Sequence, residues 1–242
     1  MGISTETLEK LRQFDTPTIC NVIELFDVRP RNVGFMDQRI QSAFPEMPPM
    51  VGFAATAAFR SDQPPGSGDA YGSLEQQLRL FETLDGPAVV VFQDLDDSAV
   101  GATFGEVMCS TYKAFGSTGL ITSGGGRDLE QVRALGFPVF TGSTICSHAY
   151  CHILHVGLPV RVGGLTVNSG ELLHGDANGV TSIPTEIAAE VADIAGEFVQ
   201  AERHILDYVQ SDRAKSVDEF AKCSQAMSAA MHELRQRVSR TK

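Results

Sequence analysis

Apolar residues recur at helical spacing near both ends of this chain and gather into short continuous runs between them, a pattern that predicts helices flanking a mixed α/β centre. Residues 4 to 14 predict a short helix presenting Leu8, Leu11 and Phe14. A second helix is expected to begin at Thr16-Pro17, with a hydroxyl cap and a first-turn proline, and to show Ile19, Val22, Ile23 and Phe26 on one face. Prolines and polar residues from 28 to 50 predict an irregular connection. Val51 to Phe59 then reads as a strand rich in small residues, followed by turn chemistry over 60–72.

Ser73 to Leu84 predicts a helix with Leu74, Leu78 and Phe81 on one side, and Pro87 to Phe92 a strand covered on both faces. An acidic, glycine-bearing loop leads from there to a helix over Glu106 to Phe115. Gly119 to Thr122 reads as a short buried strand and Gly124 to Gly126 as a turn, opening into a helix whose apolar face is Leu129, Val132, Ala134 and Leu135. Further short strands are expected at FPVF, over 151–156, in PVRVGGLTV and in NGVTSIP. Beyond Pro184, Ile187, Val191, Ile194, Phe198, Ile205 and Val209 form a long amphipathic stripe. Ser216 with Glu219 predicts a capping-box start for another helix carrying Phe220, Met227, Met231, Leu234 and Val238. No internal repeat or clear linker interrupts the chain, so one domain over 1–242 is expected, with residues 185–242 as a helical C-terminal extension.

Composition narrows the partners. At 242 residues and 43% hydrophobic the chain can bury a sizeable core. Its formal charge of −11 opposes binding to nucleic acid or to anionic membranes. No apolar run reaches transmembrane length, the polar start lacks a signal-peptide centre, and Glu6 stands where a myristoylation signal needs Ser or Thr, so a cytoplasmic location is expected. Five cysteines without framework spacing predict reduced, mostly buried thiols.

The adjacent Arg127 and Asp128, expected on the first turn of a helix, bring a cation and an anion to a place that favours bound anions. An arginine fork recognises carboxylates, and Asp128 can hold a divalent cation. An ordinary capped helix with solvated or paired charges accounts for the same residues. A dinucleotide loop fits worse, because the third glycine is missing after Gly124 and Gly126 and Asp128 would repel a pyrophosphate.

His148, His152 and His155, with Cys146 and Cys151, suggest zinc ligands, but a strand here would turn His155 away from the other two. They read instead as polar positions of a half-buried strand near a site entrance. No nucleophile elbow, Walker loop or H-E-x-x-H occurs. Lys113 is the only lysine between Lys10 and Lys215, and an exposed helical position is expected for it rather than a Schiff-base role.

From about Thr16 to Pro184, GEVMCSTYKAFGSTGLITSGGGRD, LGFPVF and LPVRVGGLTVNSGELLHGDANGVTSIP occur in an order and spacing that resemble the RraA-like family (regulator of ribonuclease E activity A), with its related class II 4-hydroxy-4-methyl-2-oxoglutarate/4-carboxy-4-hydroxy-2-oxoadipate aldolases. The resemblance implies a compact β/β/α swivelling-domain-like fold and a trimer or hexamer with sites at subunit boundaries. It implies Arg127 as the residue for substrate carboxylate or enolate, Asp128 as the ligand for Mg2+ or Mn2+, and Glu106 as a support for the metal's water shell. The backbone amides of Val107 and Met108 would receive the pyruvyl carboxylate. Asp176 would hold a turn rather than act in catalysis. Ser123 and Asn21 depart from the aspartates common in the family, and the stretch TGSTICSHAY also departs from its pattern.

The activity so implied is metal-dependent cleavage of a carbon–carbon bond in a 4-hydroxy-2-oxo acid or oxaloacetate, giving pyruvate through an enolate held on the metal. Two alternatives stand beside it: a non-catalytic regulator that binds a ribonuclease or another protein, and another metal-dependent lyase such as a sugar-acid dehydratase.

Overall fold

The computed structural model describes residues 2–66 and 73–241. The chain opens with two helices, α1 (Thr5–Leu11) and α2 (Thr16–Leu25), then β1 (Gln41–Ser42), β2 (Met50–Arg60), α3 (Leu74–Phe81) and β3 (Ala88–Asp94). Next come β4 (Ala102–Phe104), α4 (Glu106–Ala114), β5 (Gly119–Gly126), α5 (Leu129–Ala134), β6 (Val139–Thr144) and β7 (His152–Leu154). The hairpins β8 (Val160–Val162) with β9 (Leu165–Val167) and β10 (Leu172–Asp176) with β11 (Gly179–Ile183) precede two long helices, α6 (Ala188–Val209) and α7 (Val217–Val238).

The main sheet runs β1-β6-β5-β3-β2-β10-β11, with β4 added to β5 and β7 to β2. Its centre, β2, β3, β5 and β6, is parallel, and β10 and β1 join it antiparallel. Both faces are covered, which is why the central strands are almost continuously apolar. Side-chain alternation sorts them. Val51, Phe53, Ala57 and Phe59 of β2, Val90 and Phe92 of β3 and Leu120 of β5 face the helices. Their neighbours Met50, Ala54, Val89, Val91 and Ile121 face the β8–β9 side with Val160, Val162 and Val167. Helices α1, α2, α6 and α7 cover one end of the helical face, and α4 and α5 cover the other. The result is a mixed α/β fold with two helices after the last strand.

Local chemistry departs from the expected pattern in several places. The cap of α2 is Asp15, whose carboxylate accepts from Thr18 N–H at 2.8 Å, and Thr16 lies inside the helix. The Thr16 hydroxyl instead meets Nδ1 of fully buried His174 at 2.9 Å, while its N–H donates to Asp176. Asp176 also accepts from Asn178 N–H at 2.8 Å, so it holds a turn and fastens the start of α2 to β10. Strands β1, β4 and β10 arise where no strand is predicted, β1 being two residues within the connection expected to be irregular. β4 is too short to show periodicity, and β10, sequence LLHGD, carries two polar residues that burial satisfies through hydrogen bonds.

Gly124 to Gly126 form no turn: they continue β5 to its end, pairing with β4 and β6. A Cβ on Gly126 would enter the ring of Phe104, so the glycine permits β4 to close against β5. The turn expected over 60–72 is described only to residue 66. The cysteines form no disulfide among the described residues; Cys109 and Cys151 are buried, Cys20 and Cys223 half-buried and Cys146 exposed, so fewer are buried than the sequence predicts. Ser216 caps α7 by accepting from Glu219 N–H at 3.2 Å, but the Glu219 carboxylate turns to Lys222 and leaves the reciprocal half of the box unmade. No helix among the described residues is long and apolar enough to cross a membrane.

Candidate active site

The carboxyl ends of β4 and β5 and the amino end of α4 converge on one cavity of about 340 Å3. Its walls include Phe104, Gly105, Val107, Met108, Arg127, Asp128, His148 and Cys151. Ligands of open α/β sheets collect at such strand ends, since the loops there are free to vary while the sheet holds them rigid.

Asp128 is not on the first turn of a helix, as the sequence suggests. It is the N-cap of α5 in the left-handed conformation (φ 55°, ψ 39°), and its side chain makes no bond to that helix. Its carboxylate crosses to the other helix: Oδ2 accepts the N–H of Glu106, first residue of α4, at 3.0 Å. The strained backbone therefore serves to aim the carboxylate at the positive end of a neighbouring helix. Arg127, just before it, is fastened by its own N–H to Phe104 C=O at 3.1 Å, and its Nε stands 3.7 Å from Asp128 Oδ2. Both side chains are about one-third exposed, at 32% and 36%, so the pair is sheltered yet open to a ligand.

Gly105 makes this approach possible. A Cβ there would stand 2.5 Å from Asp128 Oδ2 and 3.1 Å from Arg127 Nε. The first backbone bond of the helical ladder in α4 runs from Cys109 N–H to Gly105 C=O at 3.0 Å. The amides of Val107 and Met108 precede that ladder and point out of the helix start. The Val107 side chain is 78% exposed whereas Met108 is buried, which anchors the turn from below. The Glu106 side chain is exposed and does not line the cavity, although its backbone joins the site.

Residues predicted near an entrance divide. His148 is on the cavity wall, with Nδ1 2.8 Å from Ala149 O, so Nδ1 is the donor in that bond and, in the neutral ring, Nε2 is the nitrogen that can accept. His152 opens β7 with its Nδ1 on Tyr150 O, and His155 follows that strand in a left-handed conformation (φ 49°). The described residues contain no group of three or more His, Cys, Asp or Glu arranged to hold a metal ion. Lys113 is exposed on α4, its Nζ against the Leu135 carbonyl at the end of α5, and it does not line the cavity. The wall residue Leu74 was not legible as a site residue, because it reads as an ordinary apolar helix face; Cys151, weighed in sequence only as a zinc ligand, is a buried part of the wall.

Where β3, β5 and β6 meet β8, a second cavity, of about 710 Å3, is lined by Asp94, Asp96, Ser123, Arg39 and Arg161. Ser123 Oγ accepts the N–H of Asp94 at 2.9 Å. Burial raises the Asp94 carboxyl to about 6, with the negative charges of Asp96 and Asp62 adding to the rise.

With this geometry in place, the class follows. The model of the RraA-like family, Aldolase/RraA, matches residues 16–181, and the chain belongs to that family. Its relatives carry differing descriptions. A protein of Halalkalibacterium halodurans named "Putative 4-hydroxy-4-methyl-2-oxoglutarate aldolase" is 31% identical over 153 residues, covering 61% of this chain and 70% of its own. A crystal structure described as that of novel cellulases from microbes associated with the gut ecosystem superposes with a TM-score of 0.71 at 26% identity, over 85% of this chain and 89% of the other. The fold is also that of Streptomyces coelicolor RraAS2, described as an unusual member of the RNase ES inhibitor RraA protein family, with a TM-score of 0.67 at 22% identity over 84% of this chain and 96% of the other.

Proposed function

We propose that the chain is a divalent-cation-dependent carbon–carbon lyase that releases pyruvate from a 4-hydroxy-2-oxo acid or from oxaloacetate. The observation that carries this reading is the meeting of Arg127 and Asp128 with the amino end of α4 in one sheltered cavity. It joins a carboxylate receptor to an anionic ligand for a hard cation.

The donor set fits such a cation in a limited way. Asp128 spends Oδ2 on the Glu106 amide and on Arg127, leaving Oδ1 as the oxygen to offer. Mg2+ is commonly held by one or two carboxylates with water and substrate completing the shell, so one aspartate suffices to begin a site. Glu106 contributes its backbone amide to Asp128 in this arrangement, and its exposed side chain would support that water shell on turning toward the cavity. A bound cation would supply Lewis-acid stabilisation of negative charge on the ketone oxygen.

The chain's own groups would do the rest. The amides of Val107 and Met108 receive the substrate's C1 carboxylate at the helix dipole, and Arg127 faces the C2 oxygen. In retro-aldol cleavage the 4-hydroxyl loses its proton and its oxygen forms the C4 carbonyl of the departing product, the C3–C4 bond breaks with its pair becoming the C2–C3 double bond, and the C2 carbonyl's π pair moves onto oxygen to give the pyruvate enolate. His148 Nε2 is the acceptor on the wall suited to that proton. Oxaloacetate reaches the same enolate by losing its C4 carboxylate as CO2, and protonation at C3 completes pyruvate in both cases. The guanidinium stabilises the charge that grows on the C2 oxygen more in the transition state than in the ground state.

The test is a screen of 2-oxo acids for pyruvate release with Mg2+ or Mn2+, chelation and metal restoration. Asp128→Asn keeps an acceptor for the Glu106 amide but removes the anionic ligand, while Arg127→Lys keeps charge but loses the planar fork. Each is expected to cost about a hundredfold in rate, or ~3 kcal/mol of transition-state stabilisation. Wild-type turnover in both folded variants, or no pyruvate from any 2-oxo acid with either metal, overturns the reading.

A further inference from the structure

Away from this site, α2, the loop after it and β11 enclose a groove of about 330 Å3. Arg29 lies half-buried in its wall, where its Nη1 donates to Ser182 Oγ at 3.0 Å and its Nη2 to Thr181 Oγ1 at 3.3 Å. Both partners are neutral hydroxyls. Among the described residues Arg29 makes no ion pair, although the chain is strongly acidic and its neighbour Arg31 pairs with Glu24 at 3.3 Å. A guanidinium stays protonated in proteins, so the charge persists despite its partial removal from water. Burial pulls the Arg29 pKa down from its ordinary value.

Glu24 and Arg31 also line the groove, but they answer each other in that ion pair, and apolar surface makes up most of the remainder. Pro17, Ile23, Val33, Phe35 and Val180 line it, and Val33 and Phe35 remain 45% exposed at its mouth. The amide of Asn21 supplies a polar contact at the rim. With Glu24 engaged by Arg31, the Arg29 guanidinium is the unanswered charge beside the apolar part of the wall, and it asks for an anion carrying an apolar body. Neither a bare phosphate, which would leave Phe35 and Val33 wet, nor a neutral ring, which would leave Arg29 unpaired, meets both demands.

We propose that this groove binds a small amphipathic monocarboxylate, with its carboxylate on Arg29 and a single ring or short branched chain against Val33 and Phe35. The site is distinct from the Arg127–Asp128 cavity, and the two share no wall residue.

Titration calorimetry with benzoate, benzyl alcohol and inorganic phosphate tests this on the full chain. Benzoate should bind saturably, more tightly than either other probe, and Arg29→Gln should weaken it at least tenfold. Arg127→Lys should leave it unchanged, which separates this site from the candidate active site whatever the latter catalyses. Cys20, half-buried in the same groove, provides a readout that needs no variant. Benzoate but not benzyl alcohol should slow its alkylation by iodoacetamide, followed by peptide mass mapping. Absence of that protection overturns the proposal. Equal benzoate affinity in folded Arg29→Gln, or phosphate binding tighter than benzoate, overturns it as well.

Discussion

Replacing Gly105 by alanine isolates the contact on which the candidate site depends. Gly105 has φ −158°, extended backbone open to any residue, so alanine adds no conformational strain there. The effect is steric: the new Cβ would lie 2.5 Å from Asp128 Oδ2, where ordinary contact begins at 3.4 Å. The carboxylate must therefore retreat by about 0.9 Å, the difference between those distances. Its 3.0 Å bond to the Glu106 amide would not survive such a shift. Loss of one capping bond costs about 1 kcal/mol, or ~2–4 °C in Tm for a chain of this size. The functional cost is larger, because a displacement near 1 Å in a positioned group lowers rate by about a hundredfold. Thermal unfolding would establish that the variant folds, Mn2+ titration would read the carboxylate's position as weakened affinity, and coupled detection of pyruvate would read turnover. A folded Gly105→Ala protein with wild-type Mn2+ affinity and turnover would refute the claim that the carboxylate's seat on α4 is the working geometry.

Borohydride treatment in the presence of a 2-oxo acid should leave the protein mass unchanged, because Lys113 is exposed, outside the cavity and engaged with the Leu135 carbonyl; an adduct at Lys113 would replace the cation-assisted mechanism with a Schiff base. Asp94 is raised from 3.8 to about 6, so the folded state holds a proton that the unfolded chain releases, and this group's contribution to stability must fall as pH rises between those values. Asp94→Asn should flatten that decline in denaturant titrations at successive pH values, and an unchanged slope would contradict the assignment. A trimer or hexamer is expected in solution, since Leu206, Val209, Val217 and Phe220 at the far ends of α6 and α7 expose apolar surface; a strictly monomeric, active species by mass measurement at micromolar concentration would remove the shared-site model.

Much of this architecture is determined by the sequence alone, because periodicity is a local property. Ile19, Val22, Ile23 and Phe26 at helical spacing, and the continuous run in β3, each report the faces they will bury without reference to distant residues. The RD pair, Glu106 and the helix start of α4 were legible too, since their residue types limit the chemistry available. What pairing decides was not legible. β4 forms only because β5 offers it an edge, and the glycines at 124–126, read locally as a turn, extend as strand because β4 and β6 hydrogen-bond to them. Asp128 reads as a first-turn residue of its own helix but caps another helix that begins 22 residues earlier, a contact governed by the close approach at Gly105. His148 reaches the cavity through a loop whose path no periodicity encodes, and the unpaired charge of Arg29 emerges only when α2 and β11 close around it. Local spacing fixes which face of a segment is apolar; which two distant polar groups meet depends on the packing of those faces, and only the tertiary structure decides it.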